Sequence, residues 1–147
     1  MPISERCGLH VVVDPALGQV AGTAFDVLNA AMPMVELRAA AVGPVSIAFG
    51  GEWPSDPAPL AWTSPDRRTV LVNPDHPATA NDSALAEVIA HEFGHVLLGG
   101  QHTTDGTLLD PQLDGVITIG DADRAALRSM TCSGIGLSAD VDGAASG

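Results

Sequence analysis

Lysine is absent from the 147 residues, and six arginines stand against eighteen Asp and Glu, for a formal net charge of −12. So acidic a surface repels phosphate, which argues against nucleic acid and anionic membranes as partners. The acidity serves solubility first, and it could favour cationic substrates. Missing lysine beside abundant Ala, Gly, Val and Asp points to a GC-rich coding bias rather than to a functional trait. No apolar run approaches the roughly 18 residues that a membrane-spanning helix needs. The start, Met1 to Arg6, lacks a basic segment, an apolar stretch and a small-residue cleavage site, so no secretory signal is read. The expected location is the cytoplasm at synthesis, or outside the cell if the sequence is a mature form. Cysteine is sparse: Cys7 and Cys132 form no C-x-x-C metal pair. They could tie the two chain ends together, but reduced, buried thiols are the default in a cytosolic chain. Aromatics are 3%, too few to give Trp53 or Trp62, which flank a proline-rich loop, a specificity role.

What is present suits one domain: the length allows a single core, and 46% apolar residues can fill it. No internal repeat is visible. His10–Val13 is a β-branched run stopped by Asp14-Pro15. Residues 17–32 carry apolar positions near helical spacing, and Pro33 ends them. Val45–Phe49 and Thr69–Val72 read as strands. Residues 52–66 hold four prolines and read as a surface loop. A helix begins near Asn81-Asp82-Ser83, each a plausible N-cap, and stops at Gly99-Gly100. Its stripe of Leu85, Ile89, Phe93, Val96 and Leu97 marks the core face. Residues 103–120 are rich in turn formers. Asp121 or Asp123 caps a last helix through Leu127-Arg128, and residues 133–147 form a loose tail. The domain is thus read as 1–132.

One helix carries chemistry. His91-Glu92-Phe93-Gly94-His95 is H-E-x-x-H, and His102 follows a Gly-Gly break. Residues four apart share a helix face, so His91 and His95 can close on one zinc ion, with Glu92 beside them. Three imidazoles plus an open position make a catalytic rather than a structural zinc site. Such a site activates a zinc-bound water, with Glu92 as general base, and its natural reaction is peptide-bond hydrolysis. The bland alternative is a surface helix with two unrelated histidines. It fits poorly with a helix that is capped, stopped by glycine and followed by a third histidine.

His91-Glu92-x-x-His95, a glycine and then His102 resemble the metzincin zinc metalloproteases, and most of all their small matrixin-type members. The likeness extends from Leu108-Leu109-Asp110-Pro111 to the final helix at Asp121–Leu127. It covers roughly residues 8–131 and is weakest before residue 60. It implies an α/β (α+β) zincin-like fold: a small mixed sheet of three or four strands packed on the active-site helix and a second long helix, with a short C-terminal helix. It also implies substrate binding along an edge strand before the active-site helix, a place that Thr69–Val72 would fill, with the cleft between the two. The first strands, joined through a helix, should be parallel. The implied function is a zinc-dependent metalloendopeptidase with His91, His95 and His102 as ligands, Glu92 as base and a peptide or protein substrate. A monomer is the expected state. The rivals are a catalytically degenerate binding module and a zinc amidase acting on cell-wall peptides.

Two departures from the family pattern matter. Three residues, Val96-Leu97-Leu98, separate His95 from Gly99, where the family has two. One inserted residue rotates a helix end by about 100°. Gly99-Gly100 can absorb the turn; otherwise the third ligand is Asp105 or Asp110, or is missing. Leu109 also stands where the family places a methionine beneath the zinc, and leucine fills a similar volume. Smaller features carry less. Arg6-Cys7-Gly8 resembles an inhibitory cysteine switch, but a buried or disulfide-bonded cysteine is the better reading. His76 is read as a surface residue before a donor near the cleft, and His10 as structural. Asp105-Gly106 and Asp114-Gly115 are turn signals before they are calcium ligands.

Overall fold

In a computed structural model, the described residues, 7–50, 60–99, 102, 107–110 and 115–131, form five strands and three α-helices. The strands are β1 (Cys7–Val13), β2 (Val35–Ala39), β3 (Val45–Phe49), β4 (Ala61–Thr63) and β5 (Thr69–Val72). The helices are α1 (Gly18–Ala30), α2 (Asp82–Leu98) and α3 (Asp121–Arg128). The sheet order is β2-β1-β3-β5-β4. β1, β2, β3 and β5 run parallel, and β4 pairs antiparallel with β5. The expected parallel pairing of the first strands is thus met.

Buried and half-exposed residues alternate along β2, β3 and β5. Successive side chains point to opposite faces of a strand, so the helices cover one face of the sheet. Leu9, Val11, Leu37, Ile47, Val70 and Val72 meet Phe25, Leu28, Ile89 and Phe93 in one apolar cluster. Phe25 of α1 and Phe93 of α2 pack edge to face, with ring centroids 4.9 Å apart. Such a pair adds about 0.5–1.5 kcal/mol beyond the area it buries.

The two sheet edges differ. At β2, the side chain of Asn29 accepts from the Leu37 N–H (2.7 Å) and donates to the Leu37 carbonyl (3.1 Å). That edge is closed by an amide that mimics a strand. The other edge is β4, beside the cleft described below.

Several sequence expectations need correction. Thr69–Val72 is not the edge strand; it is β5, flanked by β3 and β4. The edge is Ala61–Thr63, inside the stretch read as loop, because a three-residue strand between prolines has too little length to show alternation. β2 is a further addition: Val35-Glu36-Leu37-Arg38 does alternate, but it follows Pro33 closely. The sheet therefore has five strands rather than three or four. Cys7, expected to be reduced, is disulfide-bonded. The sequence holds one other cysteine, Cys132, which lies outside the described residues. Arg6, Trp53, Gly100, Asp105, Gly106, Asp114 and the tail 133–147 also lie outside them.

Candidate metal centre

α2 begins where its sequence says it should. The Asn81 side chain accepts from the Ala84 N–H at 3.0 Å, satisfying one of the amides that a helix start leaves open. The helix buries Leu85, Ile89, Phe93, Val96 and Leu97 as one stripe, and it also buries His91 and Glu92. It ends at Gly99, with φ 64° and ψ −143°, a conformation open in practice to glycine alone. The chain turns there and returns His102 to the helix. The candidate ligand nitrogens of His91, His95 and His102 all lie within 4.8 Å of one another. The inserted residue has not separated them: α2 runs to Leu98 and ends at Gly99, and the three nitrogens still gather.

The rings are oriented from behind. His91 Nδ1 lies 2.8 Å from the Leu108 carbonyl, and His95 Nδ1 lies 3.3 Å from the Gly99 carbonyl. A carbonyl only accepts, so each Nδ1 carries the hydrogen and each neutral ring has a bare Nε2. These two Nε2 atoms face each other at 3.2 Å. Two lone pairs at that distance repel unless something positive lies between them. A proton is disfavoured, because burial pushes both imidazoles below their ordinary value; the Leu108 carbonyl opposes this at His91 and the Glu92 charge at His95. A metal ion fits better. Tetrahedral zinc with Zn–N bonds near 2.05 Å places its ligand nitrogens about 3.3 Å apart. The His91–His95 pair has that spacing, and with His102, which is exposed, it makes a group of three imidazoles that could hold a metal ion.

Glu92 is fixed on one oxygen and open on the other. The Thr63 hydroxyl lies 2.6 Å from Glu92 Oε1 and 3.2 Å from the Glu92 carbonyl. It has one proton, and the shorter contact to the carboxylate takes it. Oε2 points toward the imidazoles, 3.9 Å from His91 Nε2. Burial pushes Glu92 above the usual carboxylate range, while the Thr63 hydrogen bond and His95 pull the other way.

Beneath the site, Leu108 and Leu109 are buried at 5% and 8% exposure. They press on Gly94, where an added Cβ would lie 2.9 Å from Leu109 and 3.0 Å from Leu108. Leu109, which stands at the methionine's place in the sequence, packs here with Leu108, whose carbonyl holds His91. Asp123 pins this turn: its Oδ2 accepts from the N–H groups of Leu108 and Gly120, both at 3.2 Å. Gly120 is the N-cap of α3, so Asp123 is the third helical residue reaching back, and neither Asp121 nor Asp123 is the cap itself. Asp123→Ala would strand a buried amide. We expect a loss of about 2 kcal/mol of stability, read as a lower Tm; an unchanged Tm would remove Asp123 from this role.

A cleft of about 630 Å³ runs past these groups, lined by β4, Arg67, Glu92, His95, Gly99 and His102. The expected cleft between edge strand and helix is therefore present, with β4 in place of β5. Asp110, an alternative third ligand, is not part of the group formed by His91, His95 and His102; it lines a small pocket with Glu87, His91 and Leu108. His76 does not line the cleft. Sequence reasoning missed Thr63 and Arg67. The turn signal Ser64-Pro65-Asp66 between two β-forming pairs would have located the hairpin, but nothing in it says that Thr63 meets Glu92.

No family model and no curated protein matches the chain. Among solved structures it is similar to an archaemetzincin from Methanopyrus kandleri, with a TM-score of 0.51 and 11% identity over 91% of this chain and 93% of that one. At that identity the likeness speaks for the fold, which is zincin-like.

Proposed function

We propose that the protein is a zinc-dependent metallopeptidase that cleaves peptide bonds in an extended substrate lying along β4. The observation that carries this reading is the meeting of three imidazoles and one carboxylate at a single open cleft. The zincin-like fold supports it at the level of class. The matrixin-type likeness rests on sequence alone: the His91–His102 motif and the stretch from His102 to Leu127.

His91, His95 and His102 would hold the metal as neutral ligands. Zinc supplies Lewis acidity toward a water and toward the carbonyl under attack. The Leu108 and Gly99 carbonyls keep the His91 and His95 rings in the ligating tautomer. The free oxygen of Glu92 takes a proton as the water oxygen bonds to the carbonyl carbon. It then gives that proton to the amide nitrogen as the C–N bond breaks. Burial keeps Glu92 basic enough for both steps, and Thr63 holds its other oxygen still. A peptide adding to the β4 edge would be fixed by main-chain hydrogen bonds, with alternate side chains facing the cleft. A peptide or protein substrate and a monomeric enzyme complete the proposal.

The test is metal removal. Protein stripped with 1,10-phenanthroline and dialysed should lose cleavage of a fluorogenic peptide library by about a hundredfold or more. One equivalent of zinc should restore it. Full turnover by protein shown to be metal-free by elemental analysis would overturn the proposal.

A further inference from the structure

Arg67 is the single non-glycine residue with positive φ, 63°, among the described residues. It ends the tight turn between β4 and β5. Its N–H donates to the Ser64 carbonyl at 2.8 Å, and the Ser64 N–H donates to Thr69 across the hairpin. Pro65 occupies the second turn position, and the Asp66 carboxylate is held by the Ser64 hydroxyl (2.5 Å) and the Arg68 N–H (3.0 Å). The Ser64–Thr69 pair closes a four-residue loop, 65–68, built on this turn, and its left-handed position usually falls to glycine, which has no Cβ to clash. Arginine is retained here at the cost of backbone strain, which points to a use for its side chain.

That side chain reaches the end of α2. Arg67 Nε donates to the Val96 carbonyl at 2.9 Å, and Nη2 donates to Val96 and Leu97 at 2.6 and 2.8 Å. These carbonyls lie in the last helical turn, where no later residue of the helix can satisfy them. A cation there also meets the negative end of the helix. Val96 and Leu97 are two of the three residues of the lengthened spacer between His95 and Gly99. The guanidinium also borders Gly99, where a Cβ would sit 3.6 Å from Nη1. Gly99 in turn bonds His95 twice: its N–H donates to the His95 carbonyl at 2.8 Å, and its carbonyl faces His95 Nδ1.

We infer that Arg67 is a positioning residue for the metal centre: it holds the lengthened end of α2 so that Gly99 orients His95 and directs the chain back to His102. This rests on the metal-site reading above. A forked, planar donor suits the role, because it spans two carbonyls at fixed geometry, whereas lysine offers one mobile point charge.

The test compares Arg67→Gly and Arg67→Lys with the parent. Zinc affinity would be measured by competition with a chromogenic chelator, apo-protein Tm by scanning, and ligand geometry from the visible spectrum of the cobalt-substituted protein. Arg67→Gly relieves the backbone strain while it removes the clamp. Its zinc Kd should weaken by about 10–100-fold, the range seen when a group that orients a ligand is lost, and its cobalt spectrum should change. Arg67→Lys should fall between the glycine variant and the parent, and it decides the matter alone if the glycine variant does not fold. A lower apo Tm with zinc Kd and cobalt spectrum as in the parent would make Arg67 a merely structural clamp and overturn the inference. A parent that binds no zinc would overturn the metal reading itself.

Discussion

Glu92→Gln should keep its zinc and lose its turnover. Glutamine has the shape of glutamate, so the amide oxygen can still accept from the Thr63 hydroxyl that now bonds Oε1 at 2.6 Å. Neither His91 nor His95 loses the carbonyl that orients it, since these supports are Leu108 and Gly99. Stability should hold as well, because the variant removes a buried charge that burial already disfavours. What the amide cannot do is take a proton. General-base catalysis contributes about 10²–10⁴-fold, so kcat should fall by that range while KM stays close to the parent value. The measurement is kcat and KM on a fluorogenic peptide, with zinc stoichiometry on the same preparation. Turnover within about threefold of the parent would exclude Glu92 as the base. The same variant separates the rival readings: a binding module would be indifferent to it, whereas a peptidase or a cell-wall amidase would not.

The distribution of the candidate site residues along the chain explains what the sequence reveals and what it hides. Helix α2 is a local object. Asn81 caps it, Leu85, Ile89, Phe93, Val96 and Leu97 line one face and Gly99 stops it, so residue spacing alone places His91 and His95 on a common face. His102 is legible as a candidate because it follows closely on Gly99, whose permissive backbone lets the helix end in a turn. The groups that act on this helix from elsewhere are not legible. Thr63 lies 29 positions before Glu92, and Arg67 lies 29 positions before Val96. Their roles follow from how a short hairpin sits against α2, a fact of packing with no local sequence period. The edge strand is hard to place for a related reason. Thr69–Val72 has the stronger β-branched signal because it is an inner strand, with β3 and β4 on its two sides, whereas the true edge, Ala61–Thr63, has only three residues. Strand propensity reports burial, so it favours inner strands over exposed edges. Asp123 reads as a capping residue, but its second acceptor contact, to Leu108, joins the final helix to the floor of the site.

Removing the third imidazole gives the second large effect. His102→Ala should leave the fold intact and cost most of the zinc affinity. His102 is exposed, and a surface substitution away from packed groups usually changes stability by about 0.5 kcal/mol or less. His91→Ala would be a poorer test: His91 is 4% exposed, and its loss would leave the Leu108 carbonyl buried and unpartnered. Zinc in small protein sites is bound by about 10–16 kcal/mol shared over four ligands. One ligand then accounts for roughly 3 kcal/mol, and its loss should weaken zinc binding by at least about a hundredfold. Competition with a chromogenic chelator reads this directly, and an unchanged Tm of the apo protein shows that the fold survived. If zinc affinity were unchanged, the ion would be held by His91, His95 and some other group. Asp110 is poorly placed to be that group, because its carboxylate is not among the ligand atoms that gather with His91 and His95. The result therefore bears on the lengthened spacer: a third ligand lost with His102 means that the residue inserted before Gly99 is accommodated by the helix end and its glycine, and that the site tolerates the family spacing plus one.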